Sequence, residues 1–296
     1  MAGFSPWKSL VTGLITVSAC AVFGMLMMPI NQQVKLQLKS EGLIPEQQVA
    51  LGRDALSQQL ALFAMGGLRS LAAQILSLDA TAAWIKQDWP TIERRYEQIT
   101  TLCPQRINYW VNASFEMATN AAAYKSYEDS QQSEIEQSQT RRRYFLRGEQ
   151  FLQDGIRNNP SSVLLHAKLG DLHSNLYRYP RFLQAANAYQ KAVELGAPPI
   201  YERLQFYSLC RVHGQEQKAW ELGRALFDKY PQQRVPSLRC LLFMLQNRLQ
   251  VPDEQKLSVE ELFGSQERAL RQLRAFIRND LRYPTTGVAE YLEPFN

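Results

Sequence analysis

The chain is poor in histidine and cysteine, and no motif gathers the few it has. His166, His173 and His213 are its three histidines; none lies four residues from another and none sits in an HExxH or CxxC context, so the spacing that metal chemistry needs is missing. The four cysteines, Cys20, Cys103, Cys210 and Cys240, lie too far apart for a metal or redox pair. Cys20 falls in an apolar run and the other three are an odd number for a disulfide framework, so they read as small apolar fillers. A GxSxG elbow, a Walker A loop and a GxGxxG turn are all absent, and so little histidine leaves little general-base material. These absences point away from an enzyme, a bound metal and a cofactor. One-sign charge is scarce as well. The net charge is +5 with a pI near 9.0, and Arg and Lys are scattered among Glu and Asp. Nucleic-acid binding draws its affinity from a concentrated positive stripe, so nucleic acid is not an expected partner. Alternating β-branched runs and hairpin turns are missing too, which leaves no strand to place.

Apolar residues are plentiful, at 45%, enough to bury a continuous core. The longest uncharged run, residues 10–30, reads LVTGLITVSACAVFGMLMMPI. It matches the roughly 20 apolar residues that cross a hydrocarbon core as helix. Trp7 and Lys8 before it suit the interfacial zone, and Pro29 with Asn31 ends it. An uncleaved signal anchor is the expected reading. A cleaved signal peptide and a lipoprotein signal, in which Val17-Ser18-Ala19-Cys20 would be a lipobox and Cys20 the lipidated first residue, remain the alternatives. Lys8 before the span and Lys35 and Lys39 after it set no orientation, and a translocated C-terminal domain is the working choice. Residues 60–78 are rich in Leu and Ala but carry Arg69, which would be costly in lipid, so they read as a packed helix.

Beyond them apolar residues recur at helical spacing, and Pro104, Pro160, Pro198-Pro199, Pro231 and Pro236 punctuate the pattern. The segment LHAKLGDLHSNLYRYPRFLQAANAYQKAVELGAPP, residues 165–199, shows its unit most clearly. A first helix carries Leu169-Gly170, a second carries Ala185, Tyr189 and Ala192, and a proline pair follows. This unit resembles the tetratricopeptide repeat, in which two antiparallel helices meet at small residues and an aromatic fills the gap to the next pair. Weaker units flank it. Upstream, Ala80 and Trp84 are placed on a first helix, Trp89-Pro90 in a turn, and Ile92, Tyr96 and Ile99 on a second helix. A distorted unit has Trp110 early and a second helix over residues 144–158, with a Ser-, Gln- and Glu-rich insertion near 124–140 between them. Downstream, Tyr207 and Leu209 precede a turn at Gly214, and Ala219 and Leu226 lead to Pro231. The resemblance spans residues 75–230.

The expected fold is all-α: an N-terminal transmembrane helix followed by a tetratricopeptide-like helical repeat domain, an α-solenoid. Its parts are a tail (1–9), the anchor (10–30), a stalk (31–58), the repeats (59–235) and a C-terminal cap (236–296). In the cap, residues 237–250 form an amphipathic helix. Ser258 to Glu261 form a capping box opening one helix that runs to Leu281, its Arg268, Arg271, Arg274 and Arg278 forming a wet basic face. Residues 283–296 read as an irregular tail. Trp84, Tyr96, Trp110, Gly170, Ala185, Tyr189, Ala192 and Ala219 are the expected repeat-packing residues. Arg141, Arg142 and Arg143 with Arg147 form the densest charge cluster, able to dock an acidic partner or lipid headgroups, or to be a solvated face offset by Glu134 and Glu136. The resemblance implies a scaffold that binds other proteins; together with the expected anchor it points to an envelope assembly for secretion, pilus building or polysaccharide export, in a bacterial inner membrane with the repeats outside the cytoplasm as the expected placement. A helical enzyme subunit and a peripheral lipid-binding protein are the competing expectations.

Overall fold

A computed structural model describes residues 69–124, 133–278, 283–285 and 287–295, and every regular element among them is helical. The expected anchor at 10–30 and stalk at 31–58 lie outside the described residues. Among the described residues no helix is long and apolar enough to cross a membrane. The chain divides into two compact units, residues 1–144 and 145–296.

In the first unit, α1 (Arg69–Ile85) packs on α2 (Trp89–Leu102) through the small residues Ala73, Ala80 and Ala83. The turn lies at residues 86–88, where Gln87 takes a positive φ of 57°. The pair Trp89-Pro90, expected in the turn, instead opens α2, because Asp88 caps it by accepting from the Thr91 N–H at 3.1 Å and proline is tolerated in a first turn. α3 (Ile107–Phe115) runs into a π-helical turn, Glu116–Ala121, whose wider winding sets Met117, Ala118 and Ala121 inward.

α4 (Glu134–Asn158) begins well before residue 144, so it takes up the C-terminal part of the expected insertion. The cause is a reciprocal cap. Glu136 Oε2 accepts from the Ser133 N–H at 2.8 Å, and Ser133 Oγ accepts from the Glu136 N–H at 3.3 Å. The unit boundary falls inside this helix.

In the second unit, α5 (Val163–Ser174), α6 (Phe182–Glu194), α7 (Pro199–Leu209) and α8 (Glu216–Lys229) pack in sequence as antiparallel neighbours. The second helices open at Phe182 and Glu216, a spacing of roughly 34 residues. α9 (Pro236–Arg248) is not the amphipathic helix that its apolar spacing suggests. It is buried nearly all round, with Cys240, Phe243, Met244 and Gln246 inside as well as Leu238, Leu241, Leu242 and Leu245. Two later helices cover its second side. The capping box at Ser258 and Glu261 is present, but Gly264 at φ +83° ends α10 (Val259–Phe263) after one turn, so α11 (Gln266–Arg278) is a separate helix. Both pack on α9. The C-terminal segment is no irregular tail either. α12 (Val288–Leu292) buries Val288 and Leu292, and Tyr283 stacks on Phe276 and lies under the Arg211 guanidinium at 3.7 Å. One apolar cluster joins α7 to α12.

Candidate functional site

The close approach of α5 and α6 centres on Gly170. A Cβ there would meet the Tyr189 ring at 2.5 Å, so only glycine lets the ring lie flat across the crossing. Ala185 and Ala192 are fully buried on either side of it. Tyr189 Oη donates to Asp171 Oδ1 at 3.0 Å and lies 3.0 Å from Ser174 Oγ, while Lys168 Nζ donates to Asp171 Oδ2 at 2.9 Å. Burial, and then the Asp171 charge, push the Tyr189 phenol far above its ordinary value.

In the next pair the roles are exchanged. Ala219 and Gly223 hold the register of Ala185 and Tyr189, so glycine stands where an aromatic stood. A Cβ on Gly223 would meet Phe206 at 2.4 Å. Phe206, on the first helix, fills the space that Tyr189 fills from the second helix one unit earlier.

Deeper in the second unit lies a polar cluster that sequence spacing does not assemble. Glu149 on α4 is buried; it accepts from Arg181 Nη1 at 2.7 Å and lies 3.1 Å from His173 Nε2. Burial pushes the Glu149 carboxyl up, but the hydrogen bonds of His173 and Arg181 outweigh it and hold it below the usual value. Facing the carboxylate, Nε2 is the ring's donor to it, while Nδ1 is buried and without a hydrogen-bond partner. A carboxylate-oriented imidazole is the arrangement of a general base. Here the free nitrogen is sealed from solvent, so the pair ties α4 to α5 and to the turn before α6, whose Arg181 N–H also donates to the His173 carbonyl at 2.8 Å. One signal for it stands in the sequence: Glu149 occurs on the same helical face as Phe145 and Leu152, which are fully buried.

Of the other expected packing residues, Trp110 is buried and its Nε1 donates to the Pro104 carbonyl at 2.8 Å. Tyr96 is half-buried, and burial followed by Glu116 and Tyr109 pushes its phenol up to about 12. Trp84 is placed differently: near the end of α1 it is 48% exposed, and Trp89, packed 5.5 Å from the Tyr124 ring, is buried in its stead. The expected arginine cluster is divided. Arg143 pairs with Glu93 at 2.9 Å and lies over Tyr144, and Arg147 lies over Phe151 and donates to Gln150. Arg142 is exposed and Arg141 partly so. Glu136, expected to offset them, is spent on the cap of α4. His166 Nε2 lies 3.0 Å from the Pro160 carbonyl. Cys210 and Cys240 are buried free thiols, and burial pushes Cys240 up to about 12. Among the described residues no group of His, Cys, Asp and Glu could hold a metal ion.

One exposed feature is unlike the rest. α1 is apolar on both sides: opposite Ala73, Ala80 and Ala83 it presents Leu71, Ile75, Leu78 and Ile85, which are 52, 58, 72 and 75% exposed. With Ala82 they follow the alternating four-and-three spacing of a helix–helix seam. No protein-family model matches the chain, and no curated protein matches it closely enough to be a relative.

Proposed function

We propose that this chain is a membrane-anchored scaffold of the tetratricopeptide kind, holding other proteins in an envelope assembly and carrying no catalytic site of its own. The anchor is the apolar run at 10–30, placed in a bacterial inner membrane with the helical pairs outside the cytoplasm. The repeat reading draws on the Gly170–Tyr189 crossing and its exchanged counterpart at Gly223 and Phe206, two close helix pairs built on one spacing. The binding reading draws above all on the outward stripe of α1. A helix with apolar stripes on two sides has one stripe left over after it packs on α2, and exposed apolar side chains in a contiguous stripe mark an interaction site. Its seam spacing suits a partner helix, recognised through anchors at i, i+4 and i+7.

A photo-crosslinking residue at Leu78, in the full chain within native membranes, tests the reading. The expected result is one or a few discrete protein adducts that vanish when Ile75 is changed to Asp. Adducts with lipid alone, or none, would remove the scaffold reading.

A further inference from the structure

α11 buries Ala269, Leu273 and Phe276 on one side. At the helical period Arg268, Arg271, Arg274 and Arg278 fall on the opposite side, and all are exposed. Glu267 is the single acid of that helix, and the side chains of Arg268 and Arg271 enter no ion pair among the described residues. Two further arginines stand close by: Arg239 on α9, and Arg234 in the connection before it. Arg239 Nε is buried without a hydrogen-bond partner. Burial, and after it the like charges of Arg268 and Arg234, lower its proton affinity. Like charges gathered in this way repel one another, and an anion from outside the chain that meets the exposed arginines relieves that repulsion.

We propose that this arginine face is a docking surface for the headgroup plane of an anionic phospholipid bilayer. The charges form a row rather than a pocket. Arg268 to Arg278 spans about 15 Å along the helix, which matches an array of phosphates better than one small ligand. Arginine forks bind phosphate in two-pronged fashion, and Ile277, 37% exposed beside Arg274 and Arg278, can enter between headgroups. The proposal rests on the anchored reading for bringing the chain to a bilayer, and the experiment separates the two.

The full chain carries Ala275→Cys with an environment-sensitive fluorophore, in a Cys20→Ser/Cys103→Ser background, and is mixed with vesicles of phosphatidylcholine alone or with added phosphatidylglycerol, each containing brominated lipid. Flotation with phosphatidylcholine vesicles reads the anchor; quenching of the label reads the arginine face. Expected is quenching only with phosphatidylglycerol, screened by salt, retained when Arg268, Arg271, Arg274 and Arg278 are all Lys and lost when all are Gln. Each Arg→Gln change weakens the contact about fivefold. Thermal unfolding of the Gln variant confirms that it folds; if it does not, single Arg271→Gln and Arg268→Gln changes give the same reading at smaller size. Equal quenching in both vesicles would overturn the proposal. So would a Gln variant that quenches normally, or inorganic phosphate that raises the unfolding temperature while the vesicles give no quenching. Absence of flotation with phosphatidylcholine would count against the anchor alone, since phosphatidylglycerol vesicles still test the face.

Discussion

Gln246 shows how much one buried side chain can fix. It sits inside the second unit's core, and its amide both donates to the Leu257 carbonyl and accepts from the Leu257 N–H, each at 3.1 Å. That reciprocal pair holds the loop between α9 and α10 against the core. Gln246→Leu keeps the volume but strands both backbone groups, and stability falls by about 1–3 kcal/mol, read as a lower urea midpoint. Gly170→Ala drives a methyl into the Tyr189 ring and is expected to cost about 1–3 kcal/mol, with Gly170→Ala/Tyr189→Leu recovering part of it. An unchanged unfolding temperature for Gly170→Ala would refute the close crossing. Glu149 gives a pH dependence. Its folded pKa lies below the ordinary carboxyl value of 4.5, so its contribution is full above that value and is lost as pH falls through the folded pKa. Stability therefore drops in acid, and Glu149→Gln, less stable at neutral pH, flattens that limb. At this scale the glycine and the small-aromatic-small face are legible in the sequence, because both follow from local spacing. The Glu149–His173–Arg181 cluster is not, since its members come together only through tertiary packing, and Trp84 and Trp89, five residues apart, cannot be told apart by periodicity alone.

The elements are set by short signals at their ends more than by the length of their apolar patterns. Ser133-Glu134-Ile135-Glu136 is a complete capping box within a stretch that composition alone presents as an insertion. Ser133→Ala removes one side of it and is expected to cost about 1 kcal/mol, seen as faster amide exchange at Glu136 with little change in the core of the second unit. Gly264 acts in the opposite sense. A box at Ser258 and a later arginine-faced pattern read as one helix, yet a left-handed residue between them makes two, and only the split lets both lie against α9. The helical class, the helix pairs from α5 to α8 and their turns are readable because apolar spacing and proline or glycine punctuation agree there. The burial of α9 all round is not readable, because it depends on helices formed later in the chain.

At the scale of the molecule, each unit supplies a surface of a different kind. The first carries the outward apolar seam of α1; the second carries the arginine face of α11. The spacing of the arginines alone points to the basic face. The seam has no such signature, since the same residues would serve a buried helix equally well and only the packing of α1 through Ala73, Ala80 and Ala83 decides which side is left over. If the seam is the partner site, Ile75→Asp/Leu78→Asp leaves thermal stability unchanged, because neither side chain is buried, while it removes binding. The most direct measurement is affinity capture from crosslinked membranes with three baits: the full chain, a chain beginning at Gln32, and the full chain with Ile75→Asp/Leu78→Asp. An anchored scaffold with a binding seam on α1 should recover a small reproducible set of proteins with the first bait, fewer with the second, and lose that set with the third. Capture of the same proteins by the first and third baits, or of none by any, would contradict it.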